Sequence, residues 1–266
     1  MLGFFRYYKG GFEMYEHFRP EERPFIDQVN DLVESVTLYH QERLTDFLDP
    51  RQQDILASLI GKHSDCELLF NGGSSGCERK RAIIRPSYLS GEEPKWELAF
   101  LKATFSSKFV TLSHRDVLGA LMNSGLKREK FGDIIVQEDS FTFATAVDTA
   151  VYVRATLDQV GKTSITLEEA DIFEVEEESW QRDHVLVSSW RLDTVLAAVY
   201  HLSRSKSVEA ITKGYVKVNW KPIDQSSYSL SVGDYLSLRG YGRAKVLEEN
   251  GQTKKDKVRL TVGRKK

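Results

Sequence analysis

The chain has 266 residues, of which 41% are hydrophobic, so it is long enough for two or three compact domains with cores of their own. No apolar run approaches the roughly 18 residues that a transmembrane helix needs, which predicts a soluble protein. The two cysteines, Cys66 and Cys77, form neither a disulfide framework nor a convincing zinc site. They suit a reducing cytoplasm, and no metal or cofactor is expected.

The charge is unevenly distributed along the chain. Residues 184–266 carry 16 Lys or Arg and 7 Asp or Glu, a net of +9, so residues 1–183 carry −11 of the total of −2. A basic C-terminal third on an acidic body predicts a localised anionic partner. Charge alone leaves nucleic acid and a membrane surface as alternatives.

Residues 1–13 are predicted to be a translated leader that does not belong to the fold. They contain no uninterrupted apolar core and no small-residue cleavage site, which argues against a signal peptide. Lys9-Gly10-Gly11 can be encoded as a bacterial ribosome-binding site, and the next two residues would supply the spacer before a start codon. The expected natural start is therefore Met14, with a genuine N-terminal arm as the alternative.

Residues 14–89 are predicted to form an N-terminal α+β domain. One helix follows Arg19-Pro20, and a second follows Asp49-Pro50 and ends at Gly61. The stretch CELLFNGGSSGCERKRAIIRP then predicts two short strands joined by a Gly/Ser loop. The loop has a superficial likeness to a phosphate cradle, but no helix with Gly-Lys-Ser/Thr follows it, so a plain hairpin connection is expected.

Residues 95–172 show the element order of a split βαβ domain. WELAFLKATF predicts a strand, HRDVLGALMNSG a helix, FGDIIVQED and SFTFATA a strand pair, AVDTAVYVRATLDQVG a helix and SITLEEA a strand. This is the ferredoxin-like plan, which RNA-recognition domains share with many unrelated proteins. The basic-Gly-aromatic signature of RNA-binding sheets is missing. Phe141 and Phe143 share a strand face and are expected in the core, with base stacking as the alternative.

Two further local patterns in this part of the chain have to be interpreted. Gly161-Lys162-Thr163 resembles the end of a nucleotide-binding loop, but Thr156 stands where its first glycine is required, and the turn runs from a helix into a strand. Nucleotide binding is therefore rejected. The run EEADIFEVEEES at 168–179 holds seven acids in twelve residues and is expected to be a solvated join to the last domain.

Residues 184–266 are predicted to form a compact basic domain with a basic tail. Ser188 or Ser189 can cap a first amphipathic helix, and Ser203 can cap a second one. The unpaired amides and the dipole of that second N-terminus favour an anion, and Arg204 and Lys206 add cations beside it. The arrangement predicts a site for a phosphate of a nucleic-acid backbone.

More basic groups follow on short strands and turns. YVKVN alternates apolar and polar residues, and VGDYLSLRGYGR adds two arginines in a glycine-rich segment. All these groups are expected at related edges of two helices and a small curled sheet, with ordinary surface charges as the alternative. The predicted RNA-binding residues are Arg191, Ser203, Arg204, Ser205, Lys206, Lys213, Lys217, Asn219, Arg239, Arg243 and Lys245.

The pattern RLDxxL…LSRSxxxxxIxxGxVxVN…VGDxLSLRGxGR, over about residues 188–247, closely resembles the S4 RNA-binding domain. The stretches HFRPEERPF, SHRDVLGALMNSGLKREKFGDI, SSWRLD and GQTKK extend the resemblance, from Met14 onward, to the YlmH proteins of Gram-positive bacteria. The resemblance implies a multidomain α+β fold: a helical and β N-terminal domain, a ferredoxin-like, RNA-recognition-like central domain and a C-terminal S4 domain. It also implies binding to ribosomal RNA and tRNA on large ribosomal subunits blocked by peptidyl-tRNA, a role in ribosome-associated quality control, and genes beside cell-division genes.

S4 domains often accompany enzymes, but the sequence favours binding over catalysis. The one Arg-Leu-Asp belongs to the S4 helix, where Asp193 is expected to orient Arg191 and not to serve a pseudouridine synthase. No glycine-rich strand-to-helix turn of a methyltransferase and no nucleotide-binding signature of a tRNA synthetase is visible. His114 is expected to be a surface or capping residue. The prediction is a noncatalytic, cytoplasmic RNA-binding protein; the alternative is a cell-division interaction protein whose acidic body recruits proteins and whose RNA affinity is incidental.

Overall fold

The computed structural model describes residues 18–61, 65–106, 110–175, 180–253 and 256–265. The predicted leader and Met14 lie outside these residues. Contacts between residues divide the chain into two units, Met1–Val175 and Glu176–Lys266. None of the helices in the described ranges is long and apolar enough to cross a membrane.

The first part of unit 1 packs two helices against a small antiparallel sheet. Helix α1 is Arg23–Tyr39 and helix α2 is Pro50–Ile60. Asp49 caps α2 by accepting from the backbone N–H of Gln52 at 2.9 Å. The strands are β1 (Arg43–Leu44), β2 (Cys66–Asn71) and β3 (Arg81–Pro86), in the order β1-β3-β2. The two helices and the hairpin expected from the sequence are confirmed, since β2 and β3 pair across the Gly/Ser loop.

The second part of unit 1 has the β-α-β-β-α-β order. Its elements are β4 (Leu98–Thr104), α3 (His114–Asn123), β5 (Phe131–Val136), β6 (Ser140–Ala146), α4 (Val147–Thr156), β7 (Gln159–Val160), β8 (Thr163–Ser164) and β9 (Glu168–Glu169). The sheet order β5-β6-β4-β9 is ferredoxin-like, as expected. The Gly161-Lys162-Thr163 segment forms the turn and edge of the β7–β8 hairpin, which is not a nucleotide-binding loop.

The end of this part differs from the sequence prediction. Helix α4 ends at Thr156, although the pattern had suggested that it continues to Gly161. Leu157 turns out of the helix and buries its side chain, and Gly161 takes a φ of +61° in the hairpin turn. The expected last strand over 164–170 is consequently reduced to β9.

The two faces of the β4–β6 sheet are both covered. Helices α3 and α4 cover one face, where Phe141 and Phe143 are completely buried. The other face, with Phe100 and Ala144, packs against Phe47 and Phe173. Bases therefore have no access to Phe141 and Phe143, which confirms that they are core residues.

Unit 2 is a sheet with two helices on one face. Its elements are β10 (Gln181–Val187), α5 (Leu192–Val199), α6 (Arg204–Thr212), β11 (Val216–Val218), β12 (Lys221–Pro222), β13 (Tyr235–Leu238), β14 (Gly242–Gln252) and β15 (Val258–Arg264). The strand order is β10-β15-β14-β13-β11-β12, and all pairs are antiparallel. The first strand begins upstream of residue 184, and residues 258–264 form a strand of the sheet.

The packing of the unit 2 core determines which strand side chains face the helices and which lie on the opposite face of the sheet. The apolar stripe of α5 packs with Ile211 of α6 and with alternate residues of the strands. Val216, Val218, Leu236, Leu238, Ala244 and Val246 face the helices. Side chains alternate along a strand, so the residues between them lie on the opposite face, here called the outer face.

Candidate nucleic-acid interface

The N-terminus of α6 is built as the sequence suggested. Ser203 is the N-cap, and its Oγ accepts from the backbone N–H of Lys206 at 3.3 Å. Arg204, Ser205 and Lys206 form the exposed first turn. The helix closes before Gly214, which has a φ of +70°.

The preceding helix begins differently from the expectation. Helix α5 starts at Leu192, and its N-cap is Arg191, whose side chain makes no capping hydrogen bond. Ser188 and Ser189 therefore do not cap it. This start places Asp193 in the first turn of α5, where its side chain is only 2% exposed.

Asp193 holds two arginines of different elements. Nε and Nη2 of Arg191 donate to its two carboxylate oxygens at 3.1 Å each. Nε and Nη2 of Arg204 donate to Oδ2 at 3.2 and 3.1 Å. The Arg191 side chain stays 40% exposed and that of Arg204 65% exposed, so both guanidiniums remain accessible while their positions are fixed. Two arginines share one carboxylate, so a positive charge is left over at the helix terminus.

The electrostatics of Asp193 follow from this geometry. Burial by itself raises the pKa of the carboxyl group, because it disfavours the charged form. The hydrogen bonds and charges of Arg191 and Arg204 outweigh burial and hold the pKa of Asp193 below its ordinary value. The carboxylate is therefore ionised at neutral pH and keeps the two arginines in place.

Lys213 and Arg239 lie away from the helix terminus. Lys213 is at the C-terminal end of α6, where its Nζ donates to Glu209 at 2.6 Å. The guanidinium of Arg239 lies over the ring of Tyr215, 5.4 Å from its centroid. Neither residue adds to the positive charge that Arg204 and Lys206 place beside Ser203.

Lys217, Arg243 and Lys245 lie on the outer face of the sheet. Lys217 pairs with Ser237, and Ser237 pairs with Arg243, so the two cations flank one serine across three strands. Nζ of Lys245 donates to the Tyr235 hydroxyl at 3.0 Å and lies 4.4 Å from the centre of that ring.

Asn219 is held by contacts inside the domain. Its Nδ2 donates to Asp234 at 2.8 Å, and its Oδ1 accepts from the backbone N–H of Tyr235 at 2.9 Å. These bonds stabilise the turn after β11. The fold itself accounts for an asparagine at this position.

Eight of the eleven predicted residues thus form two groups, although the sequence had suggested related edges, and Lys213, Asn219 and Arg239 belong to neither group. The helix-side group consists of Arg191, Ser203, Arg204, Ser205 and Lys206. The sheet-side group consists of Lys217, Arg243 and Lys245, whose strands turn these side chains away from the helices. The alternation of apolar and polar residues in YVKVN indicates that Lys217 lies on the opposite face from Val216 and Val218. It does not indicate which face of the sheet the helices cover.

The central sheet of unit 1 offers no comparable surface. A Cβ on Gly132 would lie 2.7 Å from Phe47 Cε1, and one on Gly73 would lie 2.5 Å from Phe100 Cε1. Arg79 donates to the carbonyl oxygens of Phe47 at 2.8 Å and Phe131 at 3.1 Å. The face that RNA-recognition domains use for stacking is therefore packed against the N-terminal part of unit 1.

Comparisons with known proteins agree with this architecture. Three family models match successive parts of the chain: "YlmH, N-terminal" over residues 21–89, "Putative RNA-binding domain in YlmH" over 91–174, and "S4 domain" over 190–235. The fold and these matches define a multidomain protein with an S4 domain in the C-terminal part of this chain.

One relative identifies the family. The chain is 44% identical over 257 residues to "Ribosome-associated protein quality control protein P2" of Bacillus subtilis (strain 168), with 96% of this chain and 99% of the relative covered. The chain therefore belongs to the YlmH family. A solved structure, "Cell division protein ylmH from Streptococcus pneumoniae", is 28% identical and covers 59% of this chain and 94% of its own, with a TM-score of 0.49.

Proposed function

We propose that the protein is a noncatalytic RNA-binding protein that binds ribosomal RNA and tRNA on the large ribosomal subunit. Its role would be ribosome-associated quality control of stalled peptidyl-tRNA complexes, which would place it in the cytoplasm. The observation that carries the proposal is the helix terminus where Asp193 orders Arg191 and Arg204 beside the Ser203 cap.

The chemistry of that terminus suits a phosphate of an RNA backbone. Guanidinium groups match phosphate oxygens in a planar, bidentate geometry. The first backbone N–H groups of a helix add donors and a favourable dipole. Arginines that are already oriented lose less conformational freedom on binding than free ones do.

The three predicted segments, 14–89, 95–172 and 184–266, would have unequal roles. The net charge of +9 in residues 184–266 favours the S4 domain as the RNA-binding part. The acidic residues 1–183 would influence the orientation of the protein on its target. The relative from Bacillus subtilis carries ribosome-associated quality control in its name, and its similarity extends over almost all of this chain.

Co-sedimentation with large subunits that carry peptidyl-tRNA tests the proposal. Changing both Arg204 and Lys206 to Ala should weaken binding at least about tenfold, since charge-assisted contacts are worth roughly 1.5–3 kcal/mol each and less where exposed. The Lys95→Ala/Lys102→Ala variant removes the same charge from exposed positions of unit 1 and should pellet like wild type. A folded Arg204/Lys206 variant that pellets like wild type would contradict the assignment of the helix terminus.

A second candidate is a cell-division interaction protein. One observation favours it: Val147 and Val151, one helical turn apart on α4, are 49% and 71% exposed. Recovery of division proteins with the full chain, in the absence of ribosomal subunits, would support this candidate over the first.

A further inference from the structure

The turn between β11 and β12 has an unusual residue. Val218 pairs with Lys221, so Asn219 and Trp220 alone form the loop. Their φ angles are +48° and +60°, both in the left-handed region. A two-residue hairpin with this backbone is a type I′ turn, whose second position is normally glycine. Trp220 occupies that position.

The backbone of Trp220 is therefore strained. Left-handed φ places Cβ close to the carbonyl oxygen, and for a bulky side chain this is a genuine outlier. The backbone strain at Asn219 is offset, because short polar side chains tolerate the left-handed region. The Asn219 side-chain amide also forms hydrogen bonds with Asp234 and with the backbone of Tyr235. Residues held in such conformations cluster at ligand sites, which points to a use for the indole ring.

The indole ring of Trp220 belongs to an aromatic group on the outer face. The centroids of Trp220 and Tyr235 are 4.8 Å apart, and those of Trp180 and Tyr235 are 5.7 Å apart. Trp180 lies against Gly263, where a Cβ would be only 2.6 Å from the Trp180 Cβ. Gly263 thus allows the third ring to reach the sheet. We call Trp180, Trp220 and Tyr235 the aromatic platform.

Cations surround the aromatic platform. A cavity of about 120 Å³ is lined by Lys217, Trp220, Tyr235, Leu236, Ser237 and Arg243, which is well below the roughly 300–1,000 Å³ of small-molecule pockets. Lys217 is exposed, and Lys245 lies over the Tyr235 ring. A site of this size can hold part of a flat ring with an anionic group beside it and is too small for a whole cofactor.

We propose that Trp220, supported by Tyr235, is a stacking platform for an unpaired nucleotide of bound RNA, with Lys217 beside its phosphate. The inference rests on the proposed RNA-binding function and adds a second contact area, distinct from the helix terminus. Proteins bind single-stranded nucleic acid by combining a basic surface with aromatic rings on which bases stack, and every base has a face for stacking. A protein partner is disfavoured, because charged residues are depleted from the cores of protein interfaces.

The test compares two probes on the full-length protein by fluorescence anisotropy. One is a short single-stranded oligouridine, and the other is an abasic oligoribonucleotide of the same length and charge. Trp220→Gly should bind oligouridine at least about fivefold more weakly, in line with the value of one stacked base. It should bind the abasic probe as wild type does, because the cations are unchanged.

The stability of the variants separates stacking from folding. Glycine adopts positive φ without steric cost, so Trp220→Gly relieves the backbone strain while it removes the ring contact with Tyr235, and circular dichroism should show the variant folded. Trp220→Phe should keep most of the oligouridine affinity, and Trp220→Leu, which keeps apolar bulk and the strained backbone, should lose it. Comparison of the Phe and Leu variants isolates the effect of the aromatic ring, whatever the stability of the Gly variant.

Three results would overturn the inference. Equal binding of oligouridine by wild type and Trp220→Leu would show that no base stacks on residue 220. An equal loss for both probes would show that Trp220 only positions the cations. If the wild-type protein bound neither probe nor large ribosomal subunits, the proposed RNA-binding function would fail, and the platform with it.

Discussion

Asp193 and Arg204 lie eleven positions apart on different helices, yet Nη2 of Arg204 donates to Oδ2 of Asp193 at 3.1 Å. The contact joins the start of α5 to the start of α6. It makes the position of a surface arginine depend on a carboxylate that is almost completely buried. Phosphate binding at the helix terminus should therefore depend on Asp193, although Asp193 is itself an acid.

Replacing Asp193 with Asn tests this dependence. Removal of a negative charge alone would strengthen RNA binding, whereas loss of the ordered arginine pair would weaken it. We expect weaker binding to large ribosomal subunits, together with a loss of about 1–2 kcal/mol in the free energy of unfolding, a modest value because water can solvate the half-exposed arginines. Asp224→Asn, which removes the same charge at an exposed position of unit 2, should not weaken binding. Equal or tighter binding by Asp193→Asn would mean that charge outweighs orientation.

Asp193 should also make stability sensitive to acid. Its pKa in the folded protein is lower than its ordinary value of about 3.9, so its contribution is fully present above about pH 4 to 5 and is lost as the pH falls toward the folded pKa. Urea denaturation from pH 7 to pH 2 should show a constant difference between wild type and Asp193→Asn above about pH 5 that shrinks in more acidic solution. A difference that does not change with pH would contradict the ionic origin of the contact.

Lys206 and Lys213 give a matched pair of cations at the two ends of α6. Lys206 lies in the first turn at the N-terminus of the helix, whereas Lys213 is already paired with Glu209, whose pKa is lowered by the Lys213 hydrogen bond and charge. Lys206→Ala should reduce the slope of log K against log salt by roughly 0.7–0.9, the value of one phosphate contact. Lys213→Ala should change it less. The reverse order would move the phosphate site to the C-terminal end of the helix.

Unit 2 should carry most of the RNA affinity by itself. A fragment of residues 176–266 includes Trp180 and the whole of β10, whereas a cut at residue 184 would remove Trp180 and the first three residues of β10. Filter binding at several salt concentrations should give this fragment most of the affinity and nearly all of the salt dependence of the full chain. A fragment of residues 18–175 should bind far more weakly. Strong binding by the latter would make the central domain the part that contacts RNA.

Gly132 should be necessary for the packing inside unit 1. A methyl group there would lie 2.7 Å from the Phe47 ring and 2.9 Å from the Ala144 Cβ, so Gly132→Ala should destabilise by about 1–3 kcal/mol. Gly119, inside α3, has open space around it, so Gly119→Ala should stabilise by roughly 0.5–1 kcal/mol. Thermal unfolding of both variants checks the difference. Similar melting temperatures would indicate that Phe47 can leave the central sheet at little cost.

Much of the fold could be predicted because it follows local rules. Apolar periodicity located the helices, and the Ser203 cap and Gly214 gave the limits of α6. The same rules failed after Thr156, since the hairpin that follows α4 is set by the burial of Leu157 and by one left-handed glycine. Periodicity also identified Phe100 as a strand residue without indicating that Phe47 and Phe173 cover its face, because that contact is between distant segments.

The candidate site was predicted in its parts and not in its arrangement. Charge and capping rules identified Arg204 and Lys206, and the Arg-Leu-Asp pattern suggested that Asp193 orients Arg191. The contact between Asp193 and Arg204 depends on how two helices pack, which the sequence pattern does not specify. Trp220 could have been noticed, because tryptophan follows asparagine at the point where two short strands reverse direction and glycine is normal.

The sheet of unit 2 pairs its first strand, β10, with its last, β15, and β15 also pairs with β14. During translation, β10 is made long before β15, the partner that it needs. A nascent chain in which β15 has not yet been made would expose one further edge of β10 and one edge of β14 at once. A product released at that stage would therefore keep two strand edges open for pairing with another chain.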